Sequence, residues 1–144
     1  MNTTAILDLM VQDHAKLLKE LSIVEKNIKE DPMAAKPAFR KFEWNLQKHI
    51  FVEERAIFTS YNPDYIGTMY KNISDIKKQH NSILKKLDSM RNIENQDLLC
   101  VIDFKKILVK HKNYEETNIY PVLDQEISED EKRSIIERIK EIEY

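Results

Sequence analysis

The sequence predicts an all-α fold, an up-down-up-down antiparallel four-helix bundle with a short fifth helix at its C-terminal end. Three observations predict it. Apolar residues recur at steps of three and four through four long segments, the spacing of a helix with one buried stripe. Proline marks the breaks after the first, second and fourth segments, with aspartate at the first and with asparagine and aspartate at the second, and these residues end helices. Composition agrees: the 144 residues include one Gly and four Pro, with 33% charged and 42% hydrophobic side chains. That balance suits long amphipathic helices and is too apolar for a disordered chain. The length suits one domain, residues 1–144, with a sizeable core.

The first helix is predicted from about Thr4 to Glu30, where Asp31-Pro32 stops it. Its stripe reads Ile6, Met10, His14, Leu17, Leu21, Val24 and Ile28. The second starts near Pro37, tolerable in a first turn, and runs to about Ser60. Its stripe is Phe39, Phe42, Leu46, His49, Glu53 and Ala56, with Ile57 beside it. Asn62-Pro63-Asp64 then turns the chain into a third helix that ends near Met90. That helix carries Ile66, Met69, Ile73, Ile76, His80, Ile83, Leu87 and Met90, and Gly67 weakens its start. The fourth spans about Asn95 to Tyr120, where Pro121 intervenes, along Leu98, Val101, Phe104, Leu108, His111 and Glu115, then Asn118 or Ile119. The bundle so defined occupies about residues 4–120. A C-terminal helix follows at about 128–143, where Ser128 and Glu131 have capping-box spacing and Ile135, Ile136, Ile139 and Ile142 can pack on the bundle. Short connections make neighbouring helices antiparallel.

Charge and targeting signals exclude several function classes. The net charge is -2, from 23 basic and 25 acidic side chains, so a nucleic-acid partner has no electrostatic support. No apolar run approaches the ~20 residues of a membrane span. The first residues lack the basic start and small-residue cleavage site of a signal peptide. Cys100, the one cysteine, cannot form an internal disulfide. A cytoplasmic protein is expected.

All four histidines fall on the predicted stripes. A randomly placed residue lands on a two-in-seven stripe about 0.3 of the time, so four of four by chance is on the order of 1%. Two stripes also carry a glutamate four residues on, His49/Glu53 and His111/Glu115. Residues i and i+4 share a helix face, so imidazole and carboxylate can converge on one point. A buried carboxylate without a counter-charge is costly, and metal ions supply that charge. Four imidazoles and two carboxylates suit iron, manganese or zinc rather than calcium or an iron–sulfur cluster.

An internal repeat adds symmetry. Gln12-Asp13-His14 through Leu21 lines up with Lys78-Gln79-His80 through Leu87, and His49 to Glu54 with His111 to Glu116. Both of the latter runs end alike, Ile57-Phe58 against Ile119-Tyr120. Each half offers one lone histidine and one His-x-x-x-Glu, as a pseudo-two-fold dinuclear site requires. Two metals bridged by Glu53 and Glu115 are therefore expected.

The order lone His, His-x-x-x-Glu, lone His, His-x-x-x-Glu resembles the hemerythrin/HHE cation-binding family over roughly residues 6 to 123, and Glu-Glu-x-x-Ile-Tyr-Pro at 115–121 is similar as well. The resemblance implies that His14, His49, His80 and His111 are terminal ligands, and that Glu53 and Glu115 bridge two irons with an oxo or hydroxo group, with Mn or Zn as substitutes. The oxygen carriers of that family have a second histidine on the third helix, where this chain has Ile76 or Leu84, and end in His-x-x-x-x-Asp. The pattern here is closer to the bacterial HHE branch tied to nitric-oxide stress, iron–sulfur repair or iron sensing.

Six ligands shared by two ions leave open positions among apolar side chains, which admit small neutral ligands such as oxygen, nitric oxide or peroxide and penalise charged ones. The expected function is a non-haem di-iron protein that binds or reacts with such a ligand in stress response, repair or sensing, with a redox or iron–sulfur protein as a candidate partner. The alternatives are a di-iron oxidase or peroxidase and a module in which metal staples the bundle. Glu54 and Glu116, rotated about 100° from the stripe, read as solvated, with hydrogen bonds to the ligands as the alternative. Tyr114 reads as boundary packing, with a hydrogen bond to a metal-bound oxygen or a radical as the alternative, and Trp44, Phe39 and Phe42 read as core. Cys100 lies ~16 Å along the helix from His111, too far to share its site.

Overall fold

The computed structural model describes residues 3–60, 68–91 and 98–143, and among these the chain is helical, with no strand. Helices α1 (Ala5–Glu30) and α2 (Pro32–Val52) lead into a π-helical turn at Glu53–Ile57 and a 3-10 turn at Phe58–Ser60. Helices α3 (Thr68–Arg91) and α4 (Leu98–Tyr114) follow, then a second π-helical turn at Glu115–Ile119, α5 (Tyr120–Glu126) and α6 (Glu129–Glu143). The turn expected at Asn62-Pro63-Asp64 and the expected starts of the third and fourth helices at Ile66-Gly67 and Asn95 lie outside the described residues.

Helix α1 packs on α2 and α4, and α3 packs on both α4 and α2. The buried stripes form two apolar clusters. One gathers Ile6 and Met10 of α1, Val52, Ile57 and Phe58, Ile73 and Ile76 of α3, and Ile119, Tyr120 and Leu123. The other gathers Leu17, Leu21 and Val24, Phe39, Phe42 and Leu46, Ile83 and Leu87, and Val101, Phe104 and Leu108. Along α1 and α3 the chain passes from the first cluster to the second, and along α2 and α4 it returns. Each crossing carries one of the four histidines. Phe42 meets Phe104 edge to face at 6.1 Å between ring centroids, a geometry worth about 1 kcal/mol beyond the buried area.

Three expectations are corrected. Helix α2 begins at Pro32, not near Pro37, because proline at the first helical position gives up only an N–H that has no helical partner. Asp31 alone joins the two helices, donating to the Asn27 carbonyl at 2.8 Å and accepting from Ala34 at 3.0 Å. Pro37 sits inside the helix and withholds a bond from the Met33 carbonyl, at an end where Met33 is 89% exposed and water can replace it. Second, Pro121 does not end the fourth helical stretch, which continues through a π turn to Glu126. The return to α-helical register falls at Pro121, which has no N–H to place in either register. Third, Phe39 and Phe42 are core, but Trp44 is 68% exposed. It lies two residues from both Phe42 and Leu46, about 200° round the helix from the stripe.

The C-terminal helix forms as its capping box predicts, with Glu131 N–H donating to Ser128 Oγ at 3.2 Å and Ile135 and Ile139 buried. It also helps to cap α1. The Thr4 hydroxyl is turned to Asp8 and caps no N–H of α1. The buried Asp124 of α5 does so instead, accepting from Ile6 N–H at 3.1 Å and Leu7 N–H at 2.9 Å. Buried Lys132 of α6 stands 3.5 Å from the same carboxylate and donates to the Thr3 carbonyl at 2.9 Å. Removing one member of such a buried pair strands the other. Asp124→Ala should therefore cost about 3 kcal/mol in chemical denaturation, and Thr4→Ala under about 0.5 kcal/mol. A cost below about 1 kcal/mol for Asp124→Ala would show that this cap does not hold α1 in place.

Candidate metal centre

The six polar residues of the predicted stripes meet in one layer between the two apolar clusters. His14, His49, His80, His111, Glu53 and Glu115 are all buried, with His80 and both glutamates at 0% exposure. Burial of this kind strands polar atoms unless each finds a partner.

The outward ring nitrogens do find partners. His14 Nδ1–H donates to Glu116 Oε2 at 2.7 Å, His80 Nδ1–H to Glu54 Oε2 at 3.0 Å, and His111 Nδ1–H to Gln79 Oε1 at 2.7 Å. His49 Nδ1–H donates to Asp13 Oδ2. Every acceptor here is an oxygen, so each neutral imidazole keeps its lone pair on Nε2.

The inward atoms are another matter. His49 Nε2 and His80 Nε2 lie 2.9 and 3.4 Å from Glu53 Oε1, and His111 Nε2 and His14 Nε2 lie 3.0 and 3.4 Å from Glu115 Oε1. Close as they are, Nε2 of His14, His49 and His80 and Oε1 of both glutamates make no hydrogen bond. Lone pairs facing lone pairs repel unless a cation stands between them. Two sets of ligand atoms lie within 4.8 Å of one another and could hold an ion, one from Glu53, His80, His111 and Glu115, the other from His14, His49 and Glu115. Glu115 belongs to both. The orphaned atoms thus fit a pair of nitrogen- and oxygen-bound cations.

Residues 5–123 match the family described as the hemerythrin HHE cation binding domain. The chain belongs to that family. An uncharacterized hemerythrin-like protein of Schizosaccharomyces pombe is 26% identical over 134 residues, which cover 89% of this chain and 64% of the relative. The chain therefore spans less than two thirds of that relative's length. No solved structure matches it.

Two π turns shape the centre of this HHE domain. Both begin at the glutamate of a His-x-x-x-Glu, and each closes an i→i+5 bond, Phe58 N–H to the Glu53 carbonyl and Tyr120 N–H to the Glu115 carbonyl. An α-helix would put Tyr120 about 140° round from Glu115, whereas the wider ring stacks the one over the other. The Tyr120 hydroxyl consequently reaches Oε2 of both Glu115, at 3.0 Å, and Glu53. In the first half Phe58 occupies the matching place without a hydroxyl.

Sequence reasoning missed three of these residues, Tyr120, Asp13 and Gln79, and placed the role of two others, Glu54 and Glu116, second. Tyr120 was hidden by the π turn, although the repeat already set it against Phe58. Asp13 and Gln79, each just before a lone histidine, hold the other histidine of their own half. Glu54 and Glu116, read first as solvated and second as hydrogen-bonding to the ligands, take the second role: each holds the lone histidine of the opposite half, and they are only 31% and 18% exposed at the side chain. Tyr114 packs at the edge of the first apolar cluster as expected.

Charge in the metal-free layer follows from this packing. Burial alone would lower the His49 pKa, but Glu53 and Asp13 outweigh it and hold the ring well above 6.5. For His80 burial is again opposed, chiefly by Glu53, and its pKa is also raised. Burial would raise Glu53, yet His49 beside it holds the carboxyl well below 4.5. Burial and then the two carboxylates push the Tyr120 phenol well above 10, so it stays a donor.

Protons on His49 and His80 thus supply positive charge to the layer when metal does not. The stability contributed by His49 and His80 is complete below their ordinary value of 6.5 and is lost as pH rises through their raised values. That from Glu53 is complete above 4.5 and is lost as pH falls through its depressed value. The thermal midpoint of the metal-free protein should accordingly fall as pH rises from about 6.5 through the raised values of His49 and His80, while metal affinity rises over the same interval as protons are displaced. A flat or rising metal-free midpoint there would contradict this charge arrangement.

Proposed function

We propose that this HHE domain is a non-haem di-iron protein that binds or reacts with oxygen, nitric oxide or peroxide in oxidative or nitrosative stress, iron–sulfur repair or sensing. His14, His49, His80 and His111 would be terminal ligands, and Glu53 and Glu115 would bridge. The observation that carries this reading is the ring of buried Nε2 and Oε1 atoms that face one another without a hydrogen bond. Glu115 in both candidate ligand sets supports its bridging role. The alternating passage of the four long helices between the two apolar clusters supports the antiparallel bundle that this arrangement requires. Two irons bound there would supply one-electron chemistry and open positions for a small ligand.

The chain's own residues set what can approach. A cavity of about 20 Å³ lies against His14, His49 and His111, walled by Leu17, Leu46, Ile50, Ile83 and Leu108. It is roomy enough for about one water-sized molecule, and beside the histidines its wall is apolar except for Lys112, a poor setting for an ion stripped of its hydration. A neutral diatomic suits both limits. Among the described residues no helix is long and apolar enough to cross a membrane, in keeping with the cytoplasmic placement proposed here. The Tyr120 hydroxyl, which holds a proton against both carboxylates, supports a second reading as an oxidase or peroxidase, because it places a donor beside the ligand-binding layer.

Metal analysis of protein purified without oxygen, followed by visible spectra before and after air is admitted, tests the proposal. About two irons per chain and a new near-ultraviolet band on exposure are expected. Zinc, a single ion, or no metal after reconstitution with ferrous iron would exclude the di-iron mechanism.

A further inference from the structure

The two halves of the centre are not equal. Three imidazoles donate Nδ1–H to a carboxylate, His14 to Glu116, His49 to Asp13 and His80 to Glu54, but His111 donates to the neutral amide oxygen of Gln79. A carboxylate behind the ring makes Nε2 a stronger donor to a cation than an amide does. The rings pair as His14 with His49, centroids 4.8 Å apart, and His80 with His111, 5.0 Å apart. The first pair is backed by two anions, of which Glu116 also meets Lys112 at 3.5 Å, and the second by one. Against this, the candidate ligand set at the second pair counts both Glu53 and Glu115, and that at the first only Glu115.

The grooves outside the two pairs break the symmetry in the direction of the ring partners. A groove of about 580 Å³ reaches His111 past Lys78, Lys86 and Lys110 of α3 and α4, with no carboxylate in its lining. The groove at His49 is smaller, about 360 Å³, sets Asp13 against Lys16 and Lys48, and is closed in part by Ile139 of α6. Positive charge and open access both weaken the hold on a cation at the second position.

Resting on the dinuclear reading above, we infer that the position between His14 and His49 fills first and holds its ion, while that between His80 and His111 is weaker and exchangeable, with Gln79 setting the difference. Gln79 touches no ion in this scheme and acts as a positioning residue through His111. A chain with one retained and one exchangeable ion can give up or take up metal without losing its fold.

Calorimetric titration of the metal-free chain with cobalt(II) tests this. Two steps about 10- to 100-fold apart in affinity are expected. Gln79→Glu should tighten the weaker step about tenfold and leave the stronger where it was, and Asp13→Asn should weaken only the stronger. The double variant exchanges the two partners, so the order of filling should reverse, read from which histidine ring signals broaden first in NMR spectra. Circular dichroism of each metal-free variant checks that the helices survive. A weaker step unmoved by Gln79→Glu, or an equal shift of both steps, overturns the inference. Uptake of one ion or none by the unaltered chain overturns the dinuclear reading instead.

Discussion

Two carboxylates buried among imidazoles are the constraint on which the rest of this structure depends. Glu53 and Glu115 have no exposed surface, and removing an ionised carboxylate from water costs several kcal/mol even after the protein relaxes. That cost is met by positive charge at the same depth, whether protons on His49 and His80 or metal ions, together with the Tyr120 hydroxyl that donates to both carboxylates. Everything nearby is arranged to keep the atoms that need it in position. The apolar clusters clamp the layer from both sides. The bonds at Nδ1 stop each ring from turning, so four helices hold one set of aimed lone pairs.

Local helix geometry and chemistry are joined at the two π turns. An extra residue in a helix usually costs stability, and such turns tend to persist at functional sites. Here both occur at the carboxylates, 62 positions apart in the repeat. Without the second, Tyr120 would face away from the layer and Asp124 would leave the start of α1. A single backbone irregularity therefore serves both the centre and the cap of a distant helix.

Much of the arrangement was legible in the sequence because polar residues on an apolar stripe stand out. His14, His49, His80, His111, Glu53 and Glu115 could be picked from periodicity alone, and the structure brings all six together. The residues around them were not legible, for a geometric reason. Asp13, Gln79, Glu54 and Glu116 sit one position off the stripe, where solvent is the ordinary neighbour, and each is drawn inward by a ring on another helix. Tyr120 escaped because a constant 100° step does not describe a helix with an inserted residue. Pro37 and Pro121 misled because proline's effect depends on whether its absent N–H is missed, which the sequence does not state. Asp124 and Lys132, far from α1 along the chain, gave no local sign of capping it.

The π turn at Glu115–Ile119 also has a consequence for how the chain can vary in length. Elsewhere a surface loop can gain or lose residues with little effect, since closing a slightly longer loop costs only a fraction of a kcal/mol. Between Glu115 and Asp124 it cannot gain one so freely. The π turn already takes up one extra residue, and a second, left in α-helical geometry, would turn everything downstream by about 100°. The hydroxyl would swing off the carboxylates and the carboxylate off the α1 amides in one event. Substitutions in this stretch act one side chain at a time, whereas an added residue acts on the whole end of the molecule.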